Sequence, residues 1–149
     1  MSAFREIVVA MDFSETSERA LRVAIDFARA TGARIHLVHS YMELPQQLMR
    51  RNAWIPEGVW DRLKKEDGER LEQYREQVQA AGIDVAVHQT EIQPSEGIAA
   101  KAAELGADLI VMGTRGMSGL KHVLLGSTAE RTLRAAPCPV LTVPGARNH

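Results

Sequence analysis

Apolar residues along this chain follow two rhythms, short unbroken runs and stripes spaced three or four positions apart. Ile7-Val8-Val9-Ala10-Met11 is the first run, with the length and β-branched start of a strand buried on both faces. It stops at Asp12-Phe13-Ser14, where Ser14 is placed to cap a helix. Over residues 17–30, Ala20, Leu21, Ala24, Ile25 and Ala28 recur at helical spacing, while Glu18, Arg22, Asp26 and Arg29 fall outside that stripe. Gly32 closes this helix as a C′ glycine can, and Arg34–Ser40 reads as the second strand.

Two further units repeat the pattern. Trp60, Leu63, Leu71, Tyr74, Val78 and Ala81 mark a long helix ending at Gly82, followed by a strand over residues 83–88. Ile98, Ala99, Ala102 and Leu105 mark another helix, ending at Gly106, before the apolar run Leu109-Ile110-Val111-Met112. A fourth helix, over residues 128–135, stops ahead of Pro137, and Val140–Val143 is a fifth strand. Helices that close on glycine and turn directly into strands belong to a parallel sheet. The pattern predicts an α/β fold: one doubly wound, five-stranded parallel sheet in the order 3-2-1-4-5, Rossmann-like, with helices on both faces and residues 1–149 as a single domain. Residues 42–57 depart from the rhythm. They hold Pro45, Pro56 and Trp54 without a period, and read equally as a lid or contact surface and as an exposed loop.

Length and charge change this picture little. A chain of 149 residues can bury a proper core, and a net charge of −1 gives no reason to expect nucleic acid or an anionic membrane as partner. No run is long enough to span a bilayer, the N-terminus lacks a signal-peptide pattern, and the lone Cys138 forms no internal disulfide. The expectation is a cytoplasmic protein without membrane insertion.

Candidate chemistry concentrates in residues 108–128. The strand ending at Gly113 breaks into a glycine-rich loop carrying Arg115, Gly116 and Lys121, then restarts as a helix at Gly126-Ser127-Thr128. A strand, a glycine loop and a helix start present free backbone N–H groups and a positive dipole end to phosphates. Gly113 and Gly116 are read as allowing positive φ and close approach of the main chain. In the order 3-2-1-4-5, strands one and four are neighbours where the winding reverses, so Asp12 would face Gly113. A carboxylate there suits ribose hydroxyls or a phosphate-bound Mg²⁺.

Other chemistries find no support. There is no Gly-x-Gly-x-x-Gly after the first strand and no Gly-Lys-Ser/Thr. His36 and His39 lie an odd number of residues apart on one strand, so they face opposite sides and make a poor metal pair. Cys138, between two prolines, reads as a buried structural thiol. His122 reads as solvent-facing within the loop, and the Glu/Lys/Arg-rich face of residues 61–76 as the wet side of a helix. No general base with an aligned water assembles, so binding is favoured over turnover.

The spaced pattern Gly113, Gly116, Gly126, Ser127 fits G-x2-G-x9-G-[S/T]. With the opening Val-Ala-Met-Asp12-Phe-Ser-Glu-Thr and the closing Cys138-Pro-Val-Leu-Thr-Val, the chain resembles the universal stress protein family over essentially its whole length. In that family the complete motif goes with ATP-binding members. By this resemblance Ala10, Met11 and Asp12 line a nucleoside pocket, with Asp12 near the ribose. Ser40 offers its backbone to the adenine, and Met112 and Gly113 lie beside the adenosine. Arg115, Gly116, Gly126, Ser127 and Thr128 surround the phosphates.

The resemblance implies an ATP-binding stress or regulatory protein with Mg²⁺ held mainly through the phosphates, and no metal ligand on the protein is assigned. The alternatives are a slow ATPase or nucleotidyl-transfer enzyme of a related α/β fold, and a nucleotide-free interaction module. The fifth strand falls at a sheet edge with Val140, Leu141 and Val143 apolar and no lysine guarding it, bracketed by Pro139 and Pro144. The family often dimerises through this strand, so a homodimer is expected.

Overall fold

The computed structural model describes residues 3–40, 56–115 and 125–145. Strand β1, Glu6–Ala10, buries Ile7, Val8 and Val9 completely, as a run apolar on both faces must. Helix α1, Glu15–Thr31, begins where the Ser14 hydroxyl accepts the Ser17 N–H at 3.1 Å. It ends where Gly32, at φ 76°, returns its N–H to the Ala28 carbonyl. Strand β2 is Arg34–Ser40 and helix α2 is Val59–Ala80. Strand β3, Val85–Thr90, leads to helix α3, Pro94–Glu104, which opens on a proline whose missing N–H costs nothing there. Strand β4, Leu109–Gly113, helix α4, Ser127–Ala135, and strand β5, Val140–Val143, follow.

All strand pairs are parallel, in the order β3-β2-β1-β4-β5. The alternating faces of the central strands feed two cores. Ile7, Val9, Ile35 and Leu37 pack with Leu21 and Ala24 of α1 and with Leu71 and Val78 of α2. Val8, Val38, Ile110 and Met112 pack with Ile98 and Ala102 of α3 and with Ala129 of α4. Residues of α1 and α2 thus serve one core and residues of α3 and α4 the other, as expected when the winding reverses between β1 and β4.

The third strand starts two residues later than the apolar run suggests. Gly82 takes φ 80°, and the Ile83 N–H turns back to the Val78 carbonyl at 3.4 Å. Ile83 is spent closing α2, and pairing begins at Val85 opposite Ile35. The strand then runs on through Gln89 and Thr90, opposite His39 and Ser40.

At the other end of the sheet, the Asp108 carboxylate accepts the N–H groups of Arg5 at 2.8 Å and Glu6 at 3.0 Å, binding the entry of β1 to that of β4. Those bonds hold its carboxyl below the usual range. Cys138 is half-buried against the second core, and burial, with Asp108 second, pushes its thiol up, as suits a structural thiol.

Three strands meet in a buried relay. His36 reaches Glu6 through Nε2 at 2.5 Å and His88 through Nδ1 at 3.0 Å. Burial first, then the neighbouring His36, lowers the His88 pKa from its ordinary 6.5. A group that resists protonation only when folded leaves the unfolded chain binding the extra proton. Stability is therefore intact above about pH 6.5 and declines as pH falls from there toward the lower native value. Melting temperatures taken between about pH 7.5 and about pH 5.5 should show this decline, and His88→Gln should flatten it. Identical slopes for the two proteins would remove His88 from the account.

Candidate functional site

Beyond the C-terminal ends of the strands lies a pocket enclosing about 660 Å³ of space, part of it open to solvent. Its floor is the junction of β1 and β4. Ala10, Met11 and Asp12 enter from one strand, Met112 and Gly113 from the other, and Ser40 stands at the end of β2. Gly126, Ser127 and Thr128 close the opposite side with Arg115. The structure thus gathers every described candidate residue around one cavity. Gly116 lies outside the described residues, as do Lys121, His122 and all but the last two positions of residues 42–57.

The start of α4 supplies the polar wall. Its first intrahelical bond runs from the Glu130 N–H to the Gly126 carbonyl at 3.0 Å, so the amides of Ser127, Thr128 and Ala129 precede the ladder. No side chain caps this end, and all three residues line the pocket. The Gly126 N–H is tied to the Thr114 carbonyl at 2.5 Å, which fixes the helix start to the chain leaving β4. Arg115 folds over Gly145, where a Cβ would overlap the guanidinium. Positive charge and a dipole end thus share one side of the cavity.

Asp12 lines the same cavity. Its Oδ1 accepts both the N–H of Ser14, at 2.9 Å, and the Ser14 hydroxyl. Ser14 in turn caps α1, so the carboxylate is oriented by the helix it precedes. Phe13 between them stands at φ 66°, a left-handed conformation that costs a bulky residue about 1–3 kcal/mol. Packing holds it there: its ring lies 4.4 Å from that of His39 and 6.0 Å from that of Tyr74, and the Arg70 guanidinium sits 4.1 Å above it. The Tyr74 hydroxyl donates to Glu18, and burial with that bond pushes its pKa up to about 12.

Gly113 has a different role from the one its place in the glycine pattern suggests. It keeps strand geometry at the end of β4, and the left-handed glycines are Gly32, Gly58, Gly82 and Gly106 among the described residues. A Cβ at Gly113 would overlap the Thr16 side chain and come within 3.2 Å of the Thr16 backbone carbon. The residue is small so that α1 can lie against β4.

Other lining residues were not evident as candidates from the sequence: Ser17, Val38, Thr90, Pro94, Ile98, Thr114 and Ala129. Val38 shares a face of β2 with Ser40, and Thr90 pairs with Ser40 in register, so correct placement of β3 would have found it. The face of α2 read as solvated carries exposed pairs such as Arg62 with Glu66 and Arg75 with Glu72. Asp67 and Arg70 depart from it, Asp67 bonding inward to buried His39 at 2.9 Å and Arg70 lying over the Phe13 ring. His36 and His39 do face opposite sides of the sheet, one toward Glu6 and His88, the other toward Met11 and Asp67. No cluster of three His, Cys, Asp or Glu suited to a metal occurs among the described residues. No described helix is long and apolar enough to cross a membrane.

The sequence model of the universal stress protein family matches residues 3–144. A universal stress protein of Thermus aquaticus is 36% identical, over 94% of this chain and 98% of its own. Among solved structures, the hypothetical protein MJ0577 superposes with a TM-score of 0.79 at 27% identity, over 98% of this chain and 99% of its own. The universal stress protein of Archaeoglobus fulgidus in complex with dAMP gives 0.68 at 27%, over 95% and 98%. Carrying that sheet order and that match along nearly all its length, the chain belongs to the universal stress protein family.

Proposed function

We propose that this protein is a cytoplasmic ATP-binding member of the family, acting in stress response or regulation by holding nucleotide. The observation that carries the reading is the convergence of an uncapped helix start, Arg115 and Asp12 on one pocket at the sheet's switch point. Phosphates fit at Gly126, Ser127 and Thr128 with Arg115, and the sequence pattern adds Gly116, which lies outside the described residues. The ribose fits at Asp12, with Ala10 and Met11 as the adjoining wall. The adenosine lies against Met112 and Gly113, and the base reaches Ser40. The dAMP bound by the A. fulgidus relative supports an adenine nucleotide as ligand class. Asp12 is the pocket's carboxylate among the described residues, which fits Mg²⁺ carried mainly by phosphate oxygens and water.

Turnover has less support. Oδ1 of Asp12 is already engaged by Ser14, and no second acid or histidine lines the cavity among the described residues. Calorimetry with Mg-ATP tests the binding, and steady-state phosphate release should stay well below about 1 s⁻¹. Enzyme-range turnover would favour a slow ATPase or nucleotidyl-transfer enzyme, and no binding would favour an interaction module.

A second proposal concerns assembly. Strand β5 is the sheet edge, and Leu141 on it is 36% exposed, with Leu133 of α4 exposed as well. An apolar unguarded edge invites pairing with a second copy through Val140, Leu141 and Val143. Sedimentation should show a homodimer at micromolar concentration, and Leu141→Lys should convert it to monomer. A parent that sediments as monomer overturns the assignment.

A further inference from the structure

His39 is buried to 4% exposure and does not itself line the pocket, yet both ring nitrogens are engaged. Nδ1 lies 2.7 Å from the Met11 carbonyl and Nε2 lies 2.9 Å from Asp67 Oδ2. Met11 belongs to the pocket wall, and the next two residues are Asp12 and the left-handed Phe13, whose ring packs on His39. Asp67 belongs to α2. One side chain therefore ties the corner that presents Asp12 to α2, which packs in the same core as α1.

Proton accounting sharpens this. A carbonyl oxygen only accepts, so Nδ1 carries a hydrogen. The remaining contact joins Nε2 to a carboxylate, and it needs a hydrogen as well, on one side or the other. A bridge closed at both ends holds two protons, whereas a neutral ring and an ionised carboxylate hold one between them.

We propose that His39 is a positioning residue for the nucleotide pocket, and that its proton-requiring bridge from the Met11 carbonyl to Asp67 makes nucleotide affinity depend on α2 and on pH. This rests on the nucleotide reading of the pocket. Among the described residues, Asp67 of α2 bonds the ring, Arg70 and Tyr74 of α2 flank the Phe13 that packs on it, and Asp12 from the corner and Glu18 of α1 act on Tyr74. Strand β3 places uncharged Gln89 beside it in register. When the bridge loses its extra proton, a lone pair on Nε2 faces a carboxylate oxygen. The corner then loses one of its anchors, and Asp12 with it.

Two variants separate charge from shape. The Asp67→Asn amide can donate to a neutral ring, so the bridge closes without the extra proton. Asp67→Ala removes it altogether. Mg-ATP affinity of the parent should fall by roughly tenfold at a pH high enough to strip the bridge of its extra proton, a factor that one hydrogen bond accounts for. Asp67→Asn should keep its affinity across the same range, and Asp67→Ala should bind roughly tenfold more weakly throughout. Protonation of the nucleotide itself is common to all three and cancels in the comparison. Superimposable profiles for parent and Asp67→Asn, or an Asp67→Ala affinity equal to the parent's, overturn the proposal.

The ring ¹⁵N spectrum of His39 reads the bridge without nucleotide. The proposal expects a proton-bridged Nε2 at low pH in the parent, lost as pH rises, and a constant Nδ1–H tautomer in Asp67→Asn. A parent spectrum that is pH-invariant with Nε2 unprotonated overturns it. A parent that shows the expected spectrum but binds no Mg-ATP overturns the nucleotide reading instead.

Discussion

Replacing Ser127 with aspartate should stabilise the free protein and remove most of its response to Mg-ATP. Ser127 is the exposed first residue of α4, beside amides that no side chain caps. A carboxylate there meets the positive end of the helix dipole, worth about 0.3–1 kcal/mol, or roughly 1–3 °C in melting temperature for a chain of this size. On the proposed reading of the pocket, the same carboxylate would stand among the phosphates. One added like charge at about 4 Å costs about 4 kcal/mol at an effective dielectric of 20, and the phosphates carry several. Screening and side-chain movement reduce this, so a loss of at least about a hundredfold in affinity is the conservative expectation.

At a hundredfold excess over its dissociation constant, Mg-ATP adds about 2.7 kcal/mol to the parent, or roughly 5–10 °C. At that concentration the variant should gain only about 0.4 kcal/mol. The free protein gains stability while its response to ligand falls, so general damage cannot imitate the pair of effects. Calorimetry and thermal melts on the same samples decide the matter. A variant that keeps the parent's full ligand shift would move the phosphates away from α4.

Local signals made most of the frame legible. Ser14 and Gly32 delimit α1 because a hydroxyl cap and a left-handed glycine are single-residue devices that tertiary context seldom overrides. The sheet order followed from five short apolar runs and the handedness of crossovers. The start of β3 was not legible, because Ile83 looks like a strand residue and only the hydrogen bond to Val78 shows that it belongs to the helix end. That two-residue slip also hid Thr90, which register with Ser40 brings into the pocket.

Long-range contacts stayed hidden for a related reason. Asp67 sits in a run of charges and looks solvated, and its partner His39 lies on β2. Nothing in the spacing of either residue announces the pairing. Phe13 gives no warning of its φ of 66°, since the rings and the guanidinium that hold it come from β2 and α2. Gly113 and Gly126 of the glycine pattern line the pocket, but Gly113 does not take the positive φ expected of it. Spacing can mark a residue as small without saying what presses against it.

That last point has the largest consequence for stability. Gly113→Ala should destabilise the protein by about 2–3 kcal/mol, although it adds a single methyl group. The new Cβ would overlap the Thr16 side chain and stand 3.0 Å from its Cβ and 3.2 Å from its backbone carbon. The overlapped atom alone could be relieved by rotating a side chain. The backbone carbon cannot move without shifting the first turn of α1. That turn also carries Ser17 into the pocket and is capped by Ser14, which holds Asp12. Weaker Mg-ATP binding should therefore accompany the loss of stability.

Thr16→Ser, which deletes the methyl nearest the intruding Cβ, should cost less than about 1 kcal/mol alone and recover part of the loss when combined with Gly113→Ala. Because Thr16 backbone contact remains, recovery should be incomplete, with a coupling of about 1 kcal/mol in the double-mutant cycle. Urea denaturation of the four proteins measures it. Additive costs, or an alanine tolerated within about 0.5 kcal/mol, would mean that α1 gives way freely and that close packing is not why position 113 holds glycine.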